Sequence, residues 1–80
     1  MSLILVIDDD PTIQITLTRV LEHQGHQVVF TSDGQAGITL AQQLQPGLVV
    51  CDWLMPNING LEVCRRIKAE PSLSTVFFIF

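Results

Sequence analysis

Positive charge is scarce in this chain: four Lys plus Arg stand against eight Asp plus Glu, and three of the four basic residues gather at Arg65, Arg66 and Lys68. A formal net charge of −4 leaves no basic face to track the phosphates of DNA or RNA, so direct binding to nucleic acid is not expected. Long hydrophobic runs are missing too. The opening Met1–Ile7 is apolar, but it lacks a basic leader and a small-residue cleavage site, and it meets three aspartates after Ile7. It is too short to cross a bilayer, and no membrane association is expected. Cysteine is limited to Cys51 and Cys64, each inside an apolar run and without His or Cys at zinc-finger spacing. Buried, reduced thiols in a cytoplasmic protein are the expectation.

With 80 residues, 48% hydrophobic and 15% charged, the chain reads as one globular domain and not as a disordered segment. A chain of this size buries a smaller share of its surface than a full-sized domain. The loss of any one element would therefore remove a large part of a stability that is small to begin with.

Leu3–Ile7 is an unbroken, branched apolar run, the pattern of a strand covered on both faces, and it ends abruptly in Asp8-Asp9-Asp10. Asp10 and Pro11 suit a helix cap and first helical position. Ile13, Leu17, Val20 and Leu21 then recur at helical spacing until Gly25 supplies a stop. His26–Thr31 reads as a second strand, Ser32-Asp33-Gly34 as a turn, and Leu40, Ala41 and Leu44 as the apolar line of a second helix that Pro46-Gly47 breaks. Leu48–Cys51 makes a third buried strand, which also ends on a carboxylate, Asp52. After a loop holding Pro56 and Gly60, a third helix is marked by Leu61, Cys64 and Ile67; Pro71 closes the connection, and Val76–Phe80 forms a fourth strand. Alternating helices and strands too apolar to face water predict a parallel sheet with helices on both faces.

In an open parallel sheet, ligands bind beyond the carboxyl ends of the strands, where the strand order reverses. Asp8, Asp9 and Asp52 all stand at such ends. If the first and third strands are neighbours, about 5 Å apart, the three carboxylates converge and repel unless a cation lies among them. A hard divalent ion that keeps several waters and a phosphate oxygen, Mg²⁺ before Ca²⁺, suits such a site. A carboxylate placed there is also a nucleophile toward phosphorus. Asp10 is most simply a cap. His23 and His26, flanking Gly25 far from the acidic ends, read as surface or turn residues.

Ile4-Leu5-Val6-Ile7-Asp8-Asp9-Asp10-Pro11 and Val49-Val50-Cys51-Asp52-Trp53-Leu54-Met55-Pro56-Asn57-Ile58-Asn59-Gly60-Leu61-Glu62 closely resemble the receiver domains of two-component signalling. In that family an acidic pair ends the first strand and the phosphorylated Asp ends the third, followed by Pro four residues on and Gly a further four. The resemblance implies a flavodoxin-like, doubly wound parallel sheet in three layers. It makes Asp52 the phosphoacceptor. It also makes Asp8, Asp9, Asp52 and the backbone carbonyl of Leu54 the Mg²⁺ ligands, with Asp8 acting through water. Pro56 stiffens the loop, and Gly60 lets it turn tightly into the third helix. The implied partner is a sensor histidine kinase or a histidine phosphotransfer protein, and the implied chemistry is phosphoryl acceptance without enzymatic turnover.

The family also carries Thr or Ser at the end of the fourth strand and Lys at the end of the fifth. Neither position falls within these 80 residues, and Lys68, which precedes the fourth strand, is expected to be a solvated helix-end cation. The expected architecture is thus the N-terminal portion of a receiver over residues 1–80, without the fourth helix, fifth strand and fifth helix. Bare apolar surface and an open edge on the fourth strand would follow, favouring self-association or docking of a complementing C-terminal segment.

Two other readings compete. Asp8-Asp9-Asp10-Pro11-Thr12 fits the Asp-x-Asp-x-Thr signature of haloacid-dehalogenase-like phosphatases, with Asp8 as nucleophile and Asp10 as acid/base, but this leaves the Asp52–Gly60 pattern unexplained. A receiver-shaped interaction module that does not use phosphorylation is the second.

Overall fold

The computed structural model describes residues 2–80. The first strand, β1 (Leu3–Ile7), takes the centre because it is apolar on both faces: Ile4, Leu5, Val6 and Ile7 are all buried. Helix α1 (Pro11–His23) starts where Asp10, in extended conformation, accepts a hydrogen bond from the Thr12 amide at 2.9 Å. Pro11 at its first position has no amide hydrogen to leave unpaired. Gly25, at φ 89°, ends the excursion in the left-handed region that glycine adopts without penalty. Strand β2 (Gln27–Thr31), helix α2 (Gly34–Leu44), strand β3 (Leu48–Cys51), helix α3 (Gly60–Ala69), a short 3-10 turn (Pro71–Leu73) and strand β4 (Phe77–Ile79) follow in order.

All four strands are parallel, in the order β2-β1-β3-β4. The chain therefore leaves β1 in one direction to build β2 and returns past it to build β3 on the other side. The sheet order reverses between β1 and β3. The register pairs Leu5 with Val49 and Ile7 with Cys51, which sends those side chains to one face, while Ile4, Val6, Leu48 and Val50 point to the other. On the first face, Ile38 and Ala41 of α2 and Val63 and Ile67 of α3 close over Leu5, Ile7, Val49 and Cys51 to make the core, with Leu73 and Val76 at its end. Helix α1 stands on the opposite face, giving the three layers of a flavodoxin-like doubly wound sheet.

Several details differ from the sequence reading. Strand β2 begins at Gln27 and β4 covers only Phe77–Ile79, each shorter than expected. On α1, Ile13 and Val20 are exposed, while Gln14 is the buried residue. The helix turns Gln14, Leu17 and Leu21 inward, and among the described residues no element covers the flank that carries Ile13 and Val20. In α3, Val63 and Ile67 are fully buried, whereas Leu61 is exposed and Cys64 only half-buried, so Cys51 alone is a buried thiol. Lys68 is exposed, yet its ammonium group donates to the Val76 carbonyl at 3.0 Å, fastening the end of α3 to the entry of β4.

Candidate metal and phosphoacceptor site

The register that pairs Ile7 with Cys51 also decides where the next residues go. The sheet-like bonding runs one residue further: the Asp52 amide donates to the Ile7 carbonyl at 2.8 Å, and the Asp8 amide donates to the Thr31 carbonyl at 3.1 Å. Asp8 and Asp52 thus leave adjacent strands side by side at the point of strand-order reversal, and Asp9 follows in the turn. One oxygen from each of Asp8, Asp9 and Asp52 lies within 4.8 Å of the others. Asp8 and Asp52 are half-buried and Asp9 is exposed.

Asp10 stands outside this cluster. Its carboxylate caps α1, and its amide donates to Asp8 Oδ1 at 2.9 Å. The expected capping role holds, and the acid/base role that a phosphatase would need at this position finds no geometry here. Gln14 is the residue that sequence reasoning missed. Its buried side-chain amide donates to the Asp8 carbonyl, tying the first turn of α1 to the acidic loop. The signal was present, since Gln14, Leu17 and Leu21 fall at helical spacing with a polar residue in line.

Burial raises the Asp8 carboxyl above its ordinary value of 3.8, and the negative charges of Asp52, Asp9 and Asp10 raise it further, against the opposing hydrogen bond from the Asp10 amide. The Cys51 thiol is pushed up to about 12, first by burial and then by Asp52, Asp8 and Cys64. It is an inert neighbour. The donor set is all oxygen, with neither His nor Cys, and its crowded negative charge is of the kind a hard divalent cation relieves. The residues present therefore fit Mg²⁺.

The loop after Asp52 is held at both ends. The Gly60 amide donates to the Trp53 carbonyl at 2.9 Å, and a Cβ on Gly60 would lie 2.6 Å from the Asp52 carbonyl, so only glycine permits this closure. Asn59 caps α3 by accepting from the Glu62 amide at 2.9 Å. Leu54 lies exposed within this loop, and because its side chain is hydrocarbon its backbone carbonyl is its one possible metal donor. His23 is exposed, and His26 is half-buried at the opposite end of the sheet beside Leu21 and Leu48; neither approaches the acidic cluster.

A parallel sheet of order 2-1-3-4, with an acidic triad at the β1/β3 crevice, defines an α/β protein of the doubly wound class with a carboxylate cluster at its strand-order reversal. The sequence model of the response regulator receiver domain matches residues 4–79, and the chain belongs to that family. It is 38% identical over 76 residues to Protein PilH of Pseudomonas aeruginosa, covering 95% of this chain and 63% of that protein. It is 38% identical over 73 residues to the DNA-binding response regulator MtrA of Mycolicibacterium smegmatis, covering 91% of this chain and 32% of that protein. The chemotaxis protein CheY4 of Vibrio cholerae superposes with a TM-score of 0.94 over 98% of this chain and 65% of that one, at 22% identity, a likeness of fold alone. The chain spans less than two thirds of the length of each of these proteins.

Proposed function

We propose that this receiver domain accepts a phosphoryl group on Asp52 from a phosphohistidine of a sensor histidine kinase or histidine phosphotransfer protein, with Asp8, Asp9, Asp52 and the Leu54 carbonyl holding Mg²⁺. The observation that carries the reading is the convergence of three strand-end carboxylates within 4.8 Å of one another at the strand-order reversal. Asp52 is the nucleophile by the receiver pattern, which puts the acceptor at the end of the third strand; there the hydrogen bond that its amide donates to the Ile7 carbonyl fixes the backbone that presents its carboxylate. One carboxylate oxygen attacks phosphorus, a P–O bond forms, and the P–N bond to the donor imidazole breaks. The imidazole leaves with the electron pair and takes up a proton. Mg²⁺ held by these residues would supply neutralisation of charge on the transferring group. Asp8 is held by the Gln14 side chain at its carbonyl and by the Asp10 amide at its carboxylate, so this ligand is set before the donor arrives. The domain acts as an acceptor that assists its own phosphorylation, without turnover. The free thiols of Cys51 and Cys64 support a cytoplasmic setting.

The test is intact-protein mass after incubation with acetyl phosphate and Mg²⁺, with Asp52→Asn in parallel. A phosphoryl adduct on the parent and none on the variant is expected. A folded parent that binds Mg²⁺ but forms no adduct would refute acceptance by this chain and favour a receiver-shaped interaction module. An adduct that persists in Asp52→Asn would refute the assignment of the nucleophile.

A further inference from the structure

We infer that Phe80 is a positioning residue of the acceptor site: its ring clamps the loop between Asp52 and Gly60 by touching the loop at both of its ends. Three contacts of the ring carry this. The Phe80 ring meets Trp53 edge-on, with centroids 4.8 Å apart and planes at 71°. A second aromatic contact, to Phe78 at 5.2 Å, ties the ring back to β4. At the far end of the loop, the ring lies so close to Gly60 that a Cβ there would stand 3.0 and 3.1 Å from two of its carbons. Residue Phe80 also borders a cavity of about 310 Å³ together with Asp8, Asp52 and Cys51.

An edge-to-face pair at this separation is attractive and directional, so it resists rotation of Trp53 as well as its withdrawal. Trp53 is bonded through its carbonyl to the Gly60 amide, and Gly60 packs on the Asp52 carbonyl. Holding Trp53 and Gly60 against one ring therefore fixes the closure of the loop that carries the Leu54 carbonyl. Leu54 itself is 74% exposed. The clamp rests on the metal and acceptor roles proposed above, because its consequence is a preorganised Leu54 carbonyl and Asp52 carboxylate. Groups that orient ligands without touching the metal commonly tune its affinity by an order of magnitude or more.

The experiment compares the parent chain with Phe80→Ala and Phe80→Tyr. Without metal, Trp53 emission and hydrogen exchange at the Gly60 amide are read; Mg²⁺ affinity is then measured by calorimetry, and global stability by urea. Phe80→Ala should red-shift Trp53, speed Gly60 exchange and weaken Mg²⁺ binding about tenfold, and Phe80→Tyr, which keeps the ring, should restore all three. Parent-like Gly60 exchange and Mg²⁺ affinity in folded Phe80→Ala would overturn the clamp, as would a folded Phe80→Tyr that behaves like the alanine variant. If Phe80→Ala does not fold, Phe80→Leu carries the same readings with the same two outcomes. The metal-free readings decide the clamp even if the parent takes neither Mg²⁺ nor a phosphoryl group, a result that would refute the acceptor reading alone.

Discussion

At the residue scale, the site is a balance of repulsions. Three carboxylates share one small volume, and Asp8 bears the consequence most clearly, its carboxyl raised by burial and by its acidic neighbours. Because the raised group binds its proton more readily in the folded than in the unfolded state, it adds stability at pH below its ordinary 3.8. That contribution is lost as pH rises through the raised value. At neutral pH, the metal-free protein therefore carries a built-in repulsion. Asp8→Asn should raise its stability in urea by about 0.5–1 kcal/mol, the size of an exposed charge pair, and should shrink the further gain that millimolar Mg²⁺ gives the parent. A metal-free Asp8→Asn protein less stable than the parent would contradict this account.

At the scale of elements, close approach between α2 and β1 sets what the sheet end can be. A Cβ on Gly37 would lie 2.5 and 2.8 Å from Ile7 side-chain carbons, and Ile7 is the fully buried residue directly before Asp8. In an open helix, alanine would exceed glycine by about 1 kcal/mol. Here overpacking wins: Gly37→Ala should lower stability by about 1–2 kcal/mol in chemical denaturation, and the displaced Ile7 should weaken Mg²⁺ binding with it. The caps act at the same scale. Asp33 accepts from the Ala36 amide to start α2, as Asp10 and Asn59 accept from Thr12 and Glu62 to start α1 and α3, so each helix begins on a side-chain cap.

At the scale of the whole molecule, the two faces of the sheet are unequal. The α2/α3 face is closed over a core, while the α1 face leaves Phe77 76% and Ile79 52% exposed. Leu21, His26, Leu48, Phe77 and Ile79 border an apolar cavity of about 560 Å³ there. Strand β4 is an edge without a charge on it. Such an edge pairs readily with other chains. Light scattering should show concentration-dependent association of the parent, and Phe77→Lys should reduce it while changing stability by less than about 0.5 kcal/mol, because Phe77 is already solvated. Association unchanged by the lysine would place the contact elsewhere.

The sequence by itself determined the alternation of strands and helices, the parallel sheet, and the ends on which the carboxylates stand. These are local matters: apolar runs of strand length stop at Asp8 and Asp52, and Asp10, Pro11, Gly25 and Pro46 punctuate the chain between them. The candidate ligands Asp8, Asp9 and Asp52 were legible for the same reason, once the first and third strands were taken as neighbours. Tertiary structure decided what depends on who lies opposite whom. The Ile7–Cys51 register brings the carboxylates within reach, a fact of pairing that neither strand carries alone. Gln14 is buried because α1 turns it toward Asp8, and Ile13 and Val20 are exposed because no other described element packs on that flank. Phe80 reached the acceptor loop only through the fold, which sets a residue just past β4 against Trp53 and Gly60. Periodicity reports which residues prefer to leave water; the partner each one finds is set by packing between segments far apart in the chain.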